Sequence, residues 1–322
     1  MNQRRLFVII AALVAFLVGS PAFSLEYPEK TIKVIVPYPA GGSSDQLARM
    51  VAPKLRESLG QNVYVENLSG GNTMIGTGVA ARAAPDGYTI LVTSLAYSVN
   101  LLVTKAASYK TDDFIPIAPI VMNPYLMMVN PSVPATNIKE LLQVAKQDPA
   151  KFNAVGLGPG GVTHLLNERF AALSGVPITT IQYRGAGPAL IDLLGGQVQF
   201  FIDTLVTSIP FARSGKLRAL GVTSEIRSKL LPDIPTLTES GYPGMTQEGW
   251  FGAFVPAGTP KPIVDRLNYA INEAMASREV QEIVTRDGLK TASLTPAQFL
   301  QFITDDTKKW ANTVRTLKIQ IE

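Results

Sequence analysis

Three glycine-rich turns carry the residues that could do chemistry in this chain. The first is Pro39-Ala40-Gly41-Gly42-Ser43-Ser44-Asp45. Its glycines would let the backbone approach a ligand, and the unpaired amides of a following helix would favour an anion. No Lys or Arg lies between Lys33 and Arg49, so dipoles and hydroxyls would have to hold that anion. A plain capped helix, with Ser43 or Ser44 as cap and Asp45 in the first turn, accounts for the same residues, and spacing alone leaves both readings open. The second turn, Gly156-Leu157-Gly158-Pro159-Gly160-Gly161, precedes Thr163 and His164. It has the G-x-G-x-x-G spacing of dinucleotide sites, but the acidic residue that would hold a ribose about 20 residues later is absent. The third, Gly71 to Thr77, has phosphate-loop glycines without the lysine that phosphates require.

His164 is the only histidine, and there is no cysteine. A metal site would therefore lack a second imidazole and any thiolate. A hydrolase using His164 with a serine and Asp203 is the main alternative to a binding role, yet no G-x-S-x-G elbow occurs. Hydrogen bonding to a neighbour or to a ligand is the expected role of His164. Asp203, just before Thr204, would cap a helix, orient waters or accept from a ligand donor. Arg184, after a strand, would pair with a carboxylate at a cleft edge or simply face solvent. A dinucleotide-dependent oxidoreductase is the second rival.

The elements that must position these residues alternate strand and helix. The run Thr31–Tyr38 is apolar and β-branched, and Ser44–Leu59 places Leu47, Val51, Leu55 and Leu59 on one face, with Pro53 expected to bend or shorten that helix. Strands follow at Asn62–Glu66 and Tyr88–Thr93. From Leu126 the rhythm resumes, with strands at 126–130, 152–156, 178–183, 198–202 and 217–223 and helices at 138–147, 162–173, 188–194 and 204–214. Such alternation predicts an α/β fold with parallel strands flanked by helices. Thr259-Pro260 and Thr295-Pro296 each read as a cap and first position of two closing helices. Two proline-rich stretches, Phe114–Pro124 and Pro232–Gly249, read as irregular crossings between two lobes or as surface loops.

At 322 residues the chain suits two lobes rather than one core. Arg4 and Arg5, the 13-residue apolar run Leu6–Val18 and the small residues Ala22 and Ser24 have the build of a cleaved signal peptide, too short to span a bilayer. Cleavage is expected after Ser24, which points to the periplasm. Without that segment 27 basic and 25 acidic residues remain, scattered, so nucleic acid is not an expected partner.

With both glycine turns placed, the sequence resembles the substrate-binding proteins of tripartite tricarboxylate transporters, the Bug receptors. The resemblance runs from about Tyr27 to the C-terminus. Its residues are Tyr27–Lys30, Pro37–Asp45, Ala83–Gly87, Thr163-His164, Tyr183–Pro188, Asp192–Gln197, Ser214–Leu220, Leu231–Pro235 and Trp250–Pro260. It implies a two-lobed Venus-flytrap periplasmic receptor with no catalytic residue, metal or cofactor. Residues 25–124 with 248–322 would form one lobe and 125–247 the other, around a ligand cleft. The family's carboxylate clamp maps to Tyr38, Pro39, Ala40, Gly41, Gly42 and Ser43, and to Gly158, Gly160, Gly161, Thr163 and His164. A third contact maps to Ser94, and the family's strand-end aspartate to Asp203. The ligand would be a small organic carboxylate: a di- or tricarboxylate, an aromatic acid or an acidic amino acid. The partners would be membrane transporter subunits. Gly156–Gly161 is poorer in hydroxyls than the family's second loop, and Asn67-Leu68-Ser69-Gly70 lacks the arginine of its usual Asn-Arg-Pro-Gly run.

Overall fold

The computed structural model describes residues 27–104, 107–149 and 152–319; the expected signal peptide lies outside them. Among the described residues no helix is long and apolar enough to cross a membrane.

The first half begins with β1 (Ile32–Val36), α1 (Ser43–Leu59), β2 (Val63–Asn67), α2 (Met74–Ala81), β3 (Thr89–Ser94) and α3 (Ala96–Val103). Strand β1 pairs in parallel with β2 on one side and β3 on the other, and four of its five residues are buried. A strand covered on both faces reads as such a continuous apolar run. In α1, Leu47, Val51, Leu55 and Leu59 are buried at helical spacing, and Gly60 ends the helix in the left-handed conformation at φ 67°. Pro53 does not shorten the helix. It is exposed, so the backbone carbonyl it leaves unpaired can turn to water.

The long strand β4 (Phe114–Val129) takes in the first proline-rich stretch, which the sequence read as irregular. From Phe114 to Pro124 it pairs antiparallel with β9 (Glu248–Pro256), and its ladder shifts register around Pro116–Ala118 and Pro119–Val121. Its other edge there meets only the single bridge from Met122 to Lys290 among the described residues. Prolines are tolerated where a strand lies at an edge or bulges, because no ladder donor is missing there. From Tyr125 to Val129 the same strand pairs with β7 (Phe200–Thr204) and β8 (Arg218–Val222), both antiparallel.

The second half adds α4 (Ile138–Gln147), β5 (Asn153–Gly156), α5 (Val162–Ser174), β6 (Thr179–Gln182), α6 (Ala186–Leu194) and α7 (Leu205–Arg213). β5 is parallel to both β6 and β7. The strand order is β2-β1-β3-β9-β4-β7-β5-β6, with β8 on β4. Parallel pairs thus occupy the outer strands, and antiparallel pairing through β4 and β9 joins the two sets. The chain closes with α8 (Lys261–Ala276), α9 (Arg278–Arg286) and α10 (Pro296–Leu317), one helix more than the sequence suggested. Thr295 caps α10 as expected, its hydroxyl accepting from the Gln298 amide. Thr259 instead donates its hydroxyl to the Pro256 carbonyl, and α8 starts at Lys261.

Trp250 and Phe251 pack in the core. The Trp250 indole donates to Asp306 on α10 at 3.0 Å and meets the Phe299 ring edge-on at 5.6 Å. That contact fastens the last helix to β9, the strand between β3 and β4.

Candidate functional site

The strand directions fix where a site must lie. β3 and the first part of β4 both run antiparallel to β9, so β1, β3 and β4 point the same way. β7 runs against β4, and β5 and β6 run with β7. The carboxyl ends of the two parallel sets therefore face each other across the middle of β4. Through Phe251, Ser94 sits level with Val121, and Thr204 pairs with Tyr125. These levels are about 13 Å apart along the strand at 3.3 Å per residue. In sheets of this kind ligands bind outside the carboxyl ends of strands, where helices begin.

The first turn stands at the end of β1. Its helix cap is Gly42, not a serine, and Ser43 sends its hydroxyl across to the Thr204 hydroxyl at 2.6 Å. Asp45 is buried and braces the turn: it accepts from the Gly41 amide at 2.9 Å, from Asn67 at 3.0 Å and from Arg49 at 2.9 Å. Asn67 also donates to the Tyr38 carbonyl at 3.1 Å. The first amide bonded within α1 is that of Gln46, to Gly42, which leaves those of Ser43, Ser44 and Asp45 pointing out of the helix end. With Arg49 balancing Asp45, this helix end carries no uncompensated negative charge. Tyr38 and Ser94 share a hydrogen bond at 2.6 Å, and Ser94 also accepts from the Ala96 amide that opens α3. Burial pushes the Tyr38 phenol up from its ordinary range, so it stays a neutral donor. Pro39 packs toward Gly185, where a methyl group would sit 3.0 Å from its ring; Ala40 and Gly41 are exposed.

The second turn braces itself. The Gly160 amide donates to His164 Nδ1 at 2.9 Å, the Leu157 amide to Thr163 Oγ1 at 2.7 Å, and the Gly161 amide to the Gly158 carbonyl at 3.0 Å. Thr163 and His164 thus hold the turn in shape. The amides of Val162, Thr163 and His164 remain as the open end of α5, since the first one bonded within the helix is that of Leu165. Positive φ at Gly158 (90°) and Gly160 (68°) explains why glycine stands at both.

Asp203 lies inside β7 and Thr204 is the cap of α7, so Asp203 is not the cap residue. Its carboxylate still turns to that helix, accepting from the Thr207 hydroxyl. Burial raises its pKa from 3.8 to about 6, and the Thr207 bond opposes the rise. Arg184 is exposed, with no hydrogen bond or ion pair among the described residues. The described residues hold no group of three or more His, Cys, Asp or Glu placed to hold a metal.

Residues that sequence reasoning missed also reach across between the halves. Thr204 meets Ser43, Gly185 faces Pro39, and Asn72 donates to the Pro159 carbonyl at 3.2 Å. The signal for Asn72 was the pair Gly70-Gly71 before it. Asn is the side chain best suited to left-handed backbone, and Asn72 has φ 50°.

A family model described as "Tripartite tricarboxylate transporter family receptor" matches residues 47–319. The chain belongs to this receptor family. Protein BugT of Bordetella pertussis is 37% identical over 319 residues, covering 98% of each chain. The structure of the periplasmic binding protein BugD superposes with a TM-score of 0.88 at 34% identity, over 92% of this chain and all of that one. MatC of Rhodopseudomonas palustris, solved with bound malate, gives 0.85 at 30% identity, over 89% of this chain and all of that one. As a tripartite tricarboxylate transporter family receptor, the protein has the mixed α/β periplasmic-binding-protein fold and is a solute receptor rather than an enzyme. The hydrolase and oxidoreductase readings fall with that. His164 Nδ1 accepts from a backbone amide, which leaves the proton of the neutral ring on Nε2, the nitrogen that a triad base needs free, and three amides of the G-x-G-x-x-G turn are spent on the turn itself.

Proposed function

We propose that the receptor is exported by a signal peptide cleaved after Ser24. In the periplasm it closes residues 25–124 with 248–322 against residues 125–247 on a small organic acid, and it delivers that acid to membrane subunits of a tripartite tricarboxylate-type transporter. One observation carries the reading: turns that end parallel strands in opposite halves touch, Ser43 to Thr204, at 2.6 Å. One carboxylate of the solute would lie between residues 38–43 and 158–164, held by the open amides of α1 and α5, with Ser94 and Asp203 nearby and Arg184 at the rim. Each charge-assisted bond to such an amide contributes about 1.5–3 kcal/mol, enough for several together to offset burial of one carboxylate without a lysine. The malate bound to MatC supports a small carboxylate as ligand. Di- and tricarboxylates, aromatic acids and acidic amino acids all present the required group.

A thermal-shift panel of such acids, with malate and adipate included, tests the reading. A ligand at 100 times its Kd stabilises the fold by about 2.7 kcal/mol and raises the Tm. In calorimetry with the acid that binds, Asp203→Ala and Ser94→Ala are expected to weaken affinity while the variants stay folded. Unchanged affinity in both would remove those residues from the site. A panel without any shift, joined to native mass spectrometry of the purified protein showing no retained acid, would overturn the receptor chemistry proposed here. For export, N-terminal sequencing of periplasmic protein is expected to begin at Leu25; a start at Met1 contradicts cleavage.

A further inference from the structure

Asn72 is placed as a latch rather than as part of the clamp. It lies on the turn between β2 and α2 in the first half, with φ 50°, followed by Thr73 at φ 75°. Two successive non-glycine residues in left-handed backbone are costly, above all the β-branched Thr73, and such conformations persist where surroundings impose them. Here the surroundings are specific. Asn100 is fully buried and spends its amide on this turn, donating to the Asn72 carbonyl at 2.6 Å and to the Thr73 hydroxyl at 3.0 Å. Its carbonyl oxygen accepts from Asn72 Nδ2 at 2.8 Å. The carboxamide of Asn72 is therefore fixed, and it donates from the same nitrogen to the Pro159 carbonyl of the opposite half at 3.2 Å. The second turn is cut to receive it. A methyl group on Gly158 would lie 2.8 Å from Asn72 Oδ1.

We propose that Asn72, held rigid by Asn100, is a positioning residue that locks the two halves together through Pro159 and the shape of Gly158, and so sets how long a bound solute stays. The proposal rests on the closure of two halves put forward above. A hydrogen bond of this kind contributes about a 2- to 10-fold shift toward the closed form. Because it exists only when the halves meet, it slows release and leaves capture unaffected.

The chain has no cysteine, so one exposed position in each half can carry a spin label in Arg56→Cys/Ala172→Cys protein. Label-to-label distances are then measured with and without malate, in the presence and absence of Asn72→Gly. Glycine accepts φ 50° freely, but the variant also removes the donor to the buried Asn100 carbonyl oxygen, so the Tm of the ligand-free protein is expected to fall modestly. The closed component of the distance distribution is expected to shrink, and malate release to quicken by about 2- to 10-fold with an unchanged association rate. Gly158→Ala should also disfavour closure, and adding Asn72→Gly to it should restore part of the loss by removing the atom it strikes. Identical distances in labelled protein with and without Asn72→Gly overturn the latch while leaving the receptor reading intact. A single distance in every protein, with or without malate, overturns closure itself and the latch with it. Unchanged malate release, alongside the fall in ligand-free Tm, assigns Asn72 a purely structural role and overturns the latch.

Discussion

Each half of the molecule buries one carboxylate beside the strand ends, and the two are treated differently. Asp45, 4% exposed, has a full set of partners: the Gly41 amide, the Asn67 amide and the Arg49 guanidinium. Asp203, 2% exposed, accepts from the Thr207 hydroxyl and has no cation paired with it among the described residues. A buried charge is tolerated when it is paired and hydrogen-bonded, and otherwise drifts toward its neutral form. The first half thus carries a paired carboxylate that stiffens its turn. The second carries a carboxyl group whose charge depends on pH, linked by Thr207 and Thr204 to the point where the halves touch.

The largest expected effect breaks that contrast at Asp203. Its pKa of about 6 in the folded chain lies above the ordinary 3.8, so the folded state holds the proton more tightly. The stabilisation this gives is fully present below about pH 4 and is lost as pH rises through about 6. Asp203→Asn removes the titration, so wild type should lose stability against this variant by on the order of 3 kcal/mol between pH 4 and pH 7. Urea unfolding of both proteins across that range measures it. Parallel pH profiles would show that folding leaves the proton affinity of Asp203 unchanged and would remove the contrast drawn at that residue.

Asp45→Ala should cost about 2 kcal/mol, measured by urea unfolding at pH 7, since it takes one of the two acceptors of the part-buried Asn67 amide and unties Gly41. Because that turn is also the proposed clamp, affinity for an organic acid should fall with it. Loss of stability with full retention of affinity would mean that the brace and the clamp are separate.

Much of this architecture was legible in the sequence because apolar runs and helical spacing reflect burial directly. Ile32–Val36 and Leu47, Val51, Leu55 and Leu59 are examples. The stretch Phe114–Pro124 was not, because three prolines read as breakers until tertiary pairing places them on an edge and at bulges. Helix α2 was hidden by its own glycines. Gly76 is required by a close approach, since a methyl group there would lie 2.3 Å from the Leu68 carbonyl, and such residues leave no hydrophobic period to read. At the site, the glycine turns and Asp203 were visible as residue types at strand ends. The partners Thr204, Gly185 and Asn72 were not, because only folding brings residues separated by 87 to 161 positions together.

The smallest expected effect sharpens the comparison between the turns themselves. The first turn is braced by Asn67 of β2 as well as by Asp45 of the helix it opens, whereas the second is braced by Thr163 and His164 of its own helix. A self-braced turn should fail alone. His164→Ala leaves the buried Gly160 amide without an acceptor, which costs about 1 kcal/mol and loosens residues 158–161 without touching the first turn. Amide exchange should therefore quicken at Gly160 and Gly161 and stay unchanged at Gly41 and Gly42. His164→Asn keeps a shorter acceptor in the same place and should recover part of the protection. Exchange that quickens equally in both turns would mean that they are coupled even without a solute, and that the bracing of each is shared.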